Sequence, residues 1–347
     1  MTAYLLSPFY PVADKLDTSH RAGWARYWAH ALESFKVHDT VVLLTTATMA
    51  ALDEAKKGDV AYLYHGMEWG GAMNLQSGVT DEVVTRMRRL VDAVKRGVKL
   101  VSIDIPMPSY GKLIGDRSDA SADAVVLADK LTRAISKQGY LRVPTERPKH
   151  VIVGDSHSLS LYRPGAIIHR TDGQTLHGVL EKGLEKHIGD WEFETQVELA
   201  KLELLTVYFG NIDVRHHLLR QPDPKLAVRK LVETYMKQLG LVQGQYKIKH
   251  IEVALPLPIE NECRVLPKTG WYKGTPFFGT WAERTAIRKY LADRLKAEVK
   301  KYGFSVYDHP KHFTNKQGEL SFDVMEQPRS VHIRPAEYRL VQEKKGW

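Results

Sequence analysis

Along the first 147 residues, short apolar runs rich in β-branched side chains alternate with longer stretches whose apolar positions recur every three or four residues. The short runs, 40–44, 59–64 and 99–105, predict strands. The longer stretches, 22–35, 81–96 and 122–137, predict helices, with Gly97 and Gly139 as C-terminal stops. In the first of these helices Trp24, Trp28, Leu32 and Phe35 form one apolar stripe, which reads as a core face. Alternation of this kind feeds a parallel sheet through βα units. Residues 140–150, with Pro144 and Pro148 among charged residues, have linker composition and divide the chain into domains 1–147 and 148–347.

A second alternation then begins, with strands predicted at 150–153, 166–169, 204–209, 248–255 and 304–307. Helices are predicted at 179–186, 194–201, 225–239 and 281–301. The expected architecture is therefore α/β, two doubly wound parallel-sheet domains, the second a three-layer α/β/α unit. In such sheets the reacting groups gather where strands end, so the residues just after each strand carry the functional argument. The sequence shows neither an internal repeat nor a low-complexity segment.

Composition narrows the chemistry. At 347 residues with 43% hydrophobic and 26% charged residues, the chain has the makeup of a globular protein large enough for two cores. Its single cysteine, Cys263, excludes an intramolecular disulfide and a cysteine-based zinc site. No apolar run approaches the ~20 residues a membrane helix needs, and the N-terminus lacks a signal-peptide pattern, so a cytoplasmic location is the expectation. The net charge of +9 is spread evenly: residues 1–150 carry 20 Lys/Arg against 17 Asp/Glu, and 151–347 carry 30 against 24. A diffuse surplus reads as solvated surface, which leaves nucleic-acid binding as the weaker alternative. His216-His217 and His309-Pro310-Lys311-His312 lack the carboxylate or cysteine that would complete a metal set, so no metal is expected.

Four stretches carry candidate chemistry, each after a predicted strand. Gly154-Asp155-Ser156-His157 puts a hydroxyl on a tight strand-to-helix turn. Gly173, expected to open a helix, offers an N–H unobstructed by a side chain, and Asn211 follows in Gly210-Asn211-Ile212-Asp213. His332 lies in Ser330-Val331-His332-Ile333-Arg334-Pro335-Ala336-Glu337-Tyr338, ahead of a terminal helix. Arg215, at a strand end, suits an anionic substrate group or an ion pair. The aromatics of 269–281, with Trp271 and Lys273, suit stacking on a sugar or base. In the first half the strand ends carry Thr45-Thr46, the segment 64–71 and the segment 104–108, with neither a dinucleotide fingerprint nor a phosphate-binding loop.

In these ordered stretches residues 150–345 resemble the SGNH (GDSL-like) hydrolase family. The resemblance implies Ser156 as nucleophile and His332 as base. It also implies an oxyanion hole from the N–H groups of Ser156 and Gly173 and the side chain of Asn211, with no cofactor. Asp155, His157, Asp213, Arg215, Trp271 and Lys273 are then the candidate substrate contacts, Asp155 also holding the turn. The implied activity is hydrolysis of an ester on a small polar molecule or glycan, or nucleotide-linked, with acyl transfer, nucleic-acid modification and a silent binding module as alternatives. Two departures stand out. The family pattern Gly-x-Asn-Asp is here Gly-Asn-Ile-Asp, and the Asp usually found three residues before the histidine is Arg329. The third member is therefore expected to be Asp323, Glu326 or a backbone carbonyl.

Overall fold

A computed structural model describes residues 2–6, 32, 41–44, 48–64, 81–103, 120–136, 140–141, 148–163, 165–171, 173–195, 199–261, 277–326 and 330–345. Contacts divide the chain into two units, Met1–Leu16 with Arg21–Glu146 and Asp17–His20 with Arg147–Trp347.

The first unit holds a five-stranded parallel sheet in the order β2-β1-β3-β4-β5. Its strands are β1 (Ala3–Leu6), β2 (Val41–Leu43), β3 (Val60–Tyr64), β4 (Lys99–Ile103) and β5 (Tyr140–Leu141). Helices α1 (Asp81–Lys95) and α2 (Ala122–Ser136) supply the β3–β4 and β4–β5 crossovers and pack on each other. Their buried stripes, Val83, Met87 and Leu90 on α1 and Ala124, Ala128 and Leu131 on α2, repeat at helical spacing and form the core with Leu6 and Leu63. Two strands corrected the sequence reading. β1 is a fully buried run of four residues, too short to show a period, and it lies second in the sheet rather than outside it. β5 falls inside the expected linker, where two residues pair with Ser102 and Ile103. The predicted helix 22–35 and the segments 65–71 and 104–108 lie outside the described residues apart from Leu32, which is buried.

The second unit is another five-stranded parallel sheet, ordered β10-β9-β8-β6-β7. The strands are β6 (His150–Gly154), β7 (Ala166–Arg170), β8 (Leu204–Tyr208), β9 (His250–Ala254) and β10 (Ser305–Tyr307). Nearly uniform burial along β6, β8 and β9 explains why these strands read as continuous apolar runs rather than alternating ones. Helices α3 (Leu176–Lys182) and α4 (Leu184–Thr195) connect β7 to β8, α5 (Pro224–Tyr246) connects β8 to β9, and α6 (Trp281–Lys301) connects β9 to β10. A C-terminal helix α7 (Arg339–Lys345) packs on the short 3-10 helix Ser158–Leu161 of the β6–β7 connection.

Local chemistry sets the helix ends. α6 begins at a capping box, in which Thr280 Oγ1 accepts from the Glu283 N–H while Glu283 accepts from the Thr280 N–H. α5 begins with Asp223 as N-cap and Pro224 in the first turn. It continues past the expected stop at residue 239, because Gly240 and Gly244 sit inside the helix while Val242 and Tyr246 extend its buried stripe. The helices expected at 179–186 and 194–201 are instead α3 and α4, parted by Gly183, whose φ of +95° only glycine adopts readily. No helix among the described residues is long and apolar enough to cross a membrane.

Candidate active site

β6 lies between β8 and β7, and the strand order reverses at the β6/β8 step, where open sheets of this kind hold their ligands. Gly154 ends β6 opposite Tyr208. A Cβ at this glycine would stand 2.4 Å from the Tyr208 carbonyl oxygen, so only glycine lets the chain pass here. The Asp155 N–H then donates to that same carbonyl (3.1 Å), and the Ser158 N–H closes the turn on the Asp155 carbonyl (3.0 Å). Ser156 is left half-buried at the apex.

His332 reaches this apex from the other end of the unit, with Nε2 2.8 Å from Ser156 Oγ. Its Nδ1 lies 3.3 Å from Glu326 Oε1. A small hairpin fixes that pairing: Met325 and Ile333 form an antiparallel bridge, and the Glu326 N–H donates to the His332 carbonyl (2.9 Å). Ser330 Oγ donates to Glu326 Oε1 (2.8 Å) and accepts the His332 N–H (3.2 Å). The Glu326 side chain is nearly buried, at 7% exposure. A neutral imidazole that donates its Nδ1–H to this carboxylate presents its Nε2 lone pair to Ser156 Oγ. Of the two carboxylates expected from the sequence, Glu326 is the one brought to His332 Nδ1, while Asp323 is exposed on a 3-10 turn. Arg329 lies outside the described residues.

Asp155 is wholly buried and engaged on both oxygens. Oδ1 accepts the His157 N–H (2.9 Å) and lies 3.0 Å from His157 Nδ1, while Oδ2 lies 3.4 Å from Asn211 Nδ2. Asn211, also wholly buried, accepts the Leu257 N–H at Oδ1 (2.9 Å). His157 Nε2 lies 3.2 Å from the Val331 carbonyl oxygen. Burial holds the His157 ring below the ordinary imidazole range, against the pull of Asp155.

Several expected substrate contacts are committed within the protein instead. Asp213 accepts the N–H groups of Leu176 (2.7 Å) and His177 (3.1 Å) at the start of α3, and burial raises its pKa against those bonds. Arg215 forms a buried ion pair with Glu260 (2.7 Å) and donates to the Asn211 carbonyl (2.8 Å), which is structural bracing rather than anion binding. Asp155 and His157 are likewise held by protein groups. Gly173 is exposed, at a φ of +73°, but it does not open the helix: Thr175 is the N-cap of α3, its side chain accepting the Gly178 N–H (2.9 Å). Trp271 and Lys273 lie outside the described residues.

A narrow cleft beside the dyad is lined by Ser156, His157, Leu159, Ser160, His332, Ile333 and Tyr338, with about 10 Å³ open to a water-sized group. Neither Gly173 nor Asn211 contributes to that lining. The supporting residues Ser330 and Val331 were not singled out in the sequence, because their roles depend on a hairpin that no local pattern announces. Among the described residues no group of three or more His, Cys, Asp or Glu side chains could hold a metal.

No family model matches the chain, and no curated protein matches it in sequence. Solved structures overlap it in part. A GDSL-like lipase from Bacteroides thetaiotaomicron covers 59% of this chain and 91% of its own, at 13% identity and a TM-score of 0.39. A lipase/acylhydrolase from Enterococcus faecalis covers 58% and 96%, at 16% identity and 0.33. An extracellular lipase from Streptomyces rimosus covers 56% and 98%, at 15% identity and 0.30. Overlaps of this size carry no weight for the chemistry, which stands on the side chains described above.

Proposed function

We propose that the second unit is a serine esterase, or O-acyl hydrolase, of the SGNH type, acting on a small polar ester such as an acylated carbohydrate or nucleotide-linked molecule. The observation that carries this reading is the aligned series Ser156 Oγ, His332 Nε2, His332 Nδ1 and Glu326 Oε1, at 2.8 Å and 3.3 Å. The carboxylate beside His332 also weighs against a silent binding module, since that alternative drew on Arg329 standing where the family has an acid, as well as on the shifted Asn211.

In the proposed reaction Ser156 Oγ attacks the ester carbonyl carbon while its proton passes to His332 Nε2, and Glu326 stabilises the imidazolium that forms. The tetrahedral oxyanion is assigned to the Ser156 N–H, such a donor being worth roughly 10²–10³ in rate; Gly173 and Asn211, the further donors the family resemblance implies, do not line the cleft beside Ser156. Collapse breaks the bond to the leaving oxygen, which takes the proton from His332 and departs as an alcohol. Water then attacks the acyl-enzyme with His332 again as base, releasing the acid and restoring the Ser156 hydroxyl. The cleft beside this pair is narrow where Leu159, Ile333 and Tyr338 line it, and the reading takes a short acyl chain such as acetyl.

Turnover of p-nitrophenyl esters tests the reading. Acetate is expected to be hydrolysed faster than octanoate, and Ser156→Ala is expected to lower kcat by about 10⁴–10⁶ with the melting temperature unchanged. Full turnover in that folded variant removes the nucleophile assignment.

A further inference from the structure

The residue after the nucleophile reaches the base. His157 is held at its backbone, where the Ser160 N–H (2.9 Å) and Ser160 Oγ (2.8 Å) both donate to its carbonyl and its own N–H donates to Asp155. Its ring spans from Asp155 Oδ1, 3.0 Å from Nδ1, to the Val331 carbonyl, 3.2 Å from Nε2. Val331 directly precedes His332, and the two imidazole rings lie 4.8 Å apart at a tilt of 41°. A histidine 174 residues distant along the chain thus contacts the backbone that carries the base. Both ring nitrogens face acceptors, and burial favours the neutral ring with its single N–H. With that N–H on Nε2 the ring donates to the Val331 carbonyl, while the His157 backbone N–H keeps the anchor on Asp155 Oδ1. The same carboxylate touches Asn211 through its other oxygen, so one buried group joins the nucleophile turn, the oxyanion candidate and the base loop.

We infer that His157 is a positioning residue: anchored on Asp155, it holds the Val331 carbonyl and so sets the reach of His332 to Ser156, rather than touching substrate. For its kinetic consequence this rests on the esterase reading. A base displaced by about 1 Å costs about 10² in rate, which sets the scale of the effect.

His157→Phe fills the space without either link, and kcat on p-nitrophenyl acetate is expected to fall about 10²-fold while KM stays within about twofold. His157→Gln, which keeps an N–H for the Val331 carbonyl, is expected to recover about tenfold of that loss. In a His332→Ala background His157→Phe is expected to change nothing further, because a group acting through the base has nothing left to act on. An arm that needs no ester follows the ¹H–¹⁵N resonances of the His332 ring, which are expected to shift in both His157 variants. Absence of Ser156-dependent turnover in the native protein would end the esterase reading yet leave this arm decisive. Unchanged kcat in folded His157→Phe, a loss that persists in the His332→Ala background, or unmoved His332 resonances would each overturn the inference.

Discussion

In the first sheet the strands run β2-β1-β3-β4-β5, and in the second β7-β6-β8-β9-β10, so each unit places its first strand between its second and third with every neighbour parallel. The wiring is the same, although the sequence carries no internal repeat. The difference lies at the reversal of strand order. In the first unit β1 ends with Leu6 opposite Leu63, both wholly buried, and the residues that follow β1 and β3 lie outside the described ones. In the second, the equivalent pair is Gly154 opposite Tyr208, and the missing side chain lets the Asp155–Ser156 turn pass over the neighbouring carbonyl. Topology supplies the location, and a few residues at one strand end supply the chemistry.

The comparison sharpens most at the carboxylate. Glu326→Gln leaves the hairpin but removes the charge behind His332, and kcat on p-nitrophenyl acetate is expected to fall by up to about 10⁴, whereas Asp323→Asn leaves it unchanged. Equal losses in the two variants would break the assignment.

The glycine comes next. Gly154→Ala drives a Cβ against the Tyr208 carbonyl and is expected to cost about 1–3 kcal/mol of stability in the second unit, measured by denaturant unfolding, with loss of turnover. A variant of native stability and activity would mean that the turn does not need this close approach.

The smallest effect is a pH slope. Burial pulls His150 down to about 3 and His309 down to about 4, so both are neutral in the folded unit while the unfolded chain protonates them below about 6.5. The unfolded state therefore binds more protons, and stability falls as pH drops from about 6.5 toward 4, by about 1.4 kcal/mol per pH unit for each histidine. In the first unit Asp59 is held below its ordinary value chiefly by the Thr2 N–H (2.7 Å), so its contribution is lost only below about 3.8. Melting followed from pH 7 to 4 is thus expected to destabilise the second unit ahead of the first. The reverse order would contradict these burial assignments.

How much the sequence disclosed follows from the range of each interaction. The meeting of Ser156 and His332, at 2.8 Å, was legible because the first stands just past a recognisable strand and the second before a terminal helix; Asn211 follows a strand as expected and is held by Asp155 and Leu257. Glu326 was one of three choices, beside Asp323 and a backbone carbonyl, since its approach to His332, six residues on, depends on the Met325–Ile333 bridge rather than on the usual three-residue spacing. Asp213 was read as a substrate contact, and Arg215 as an anion contact or an ion pair, because strand-end charges serve both ends. Their partners, the α3 N–H groups and Glu260, lie 36–45 residues away and leave no local trace. The contact of His157 with the Val331 carbonyl, 174 residues away, left no local trace either. β1 escaped notice because four buried residues carry no periodicity, although its place in the sheet sets the order of the whole first unit.

The central claim is that Ser156 is activated by His332, and a fluorophosphonate probe followed by peptide mass mapping tests it most directly. One adduct per chain on the peptide carrying Ser156, lost in Ser156→Ala and strongly slowed in His332→Ala, is the predicted result. An unlabelled native protein, or labelling that persists in Ser156→Ala, would contradict it.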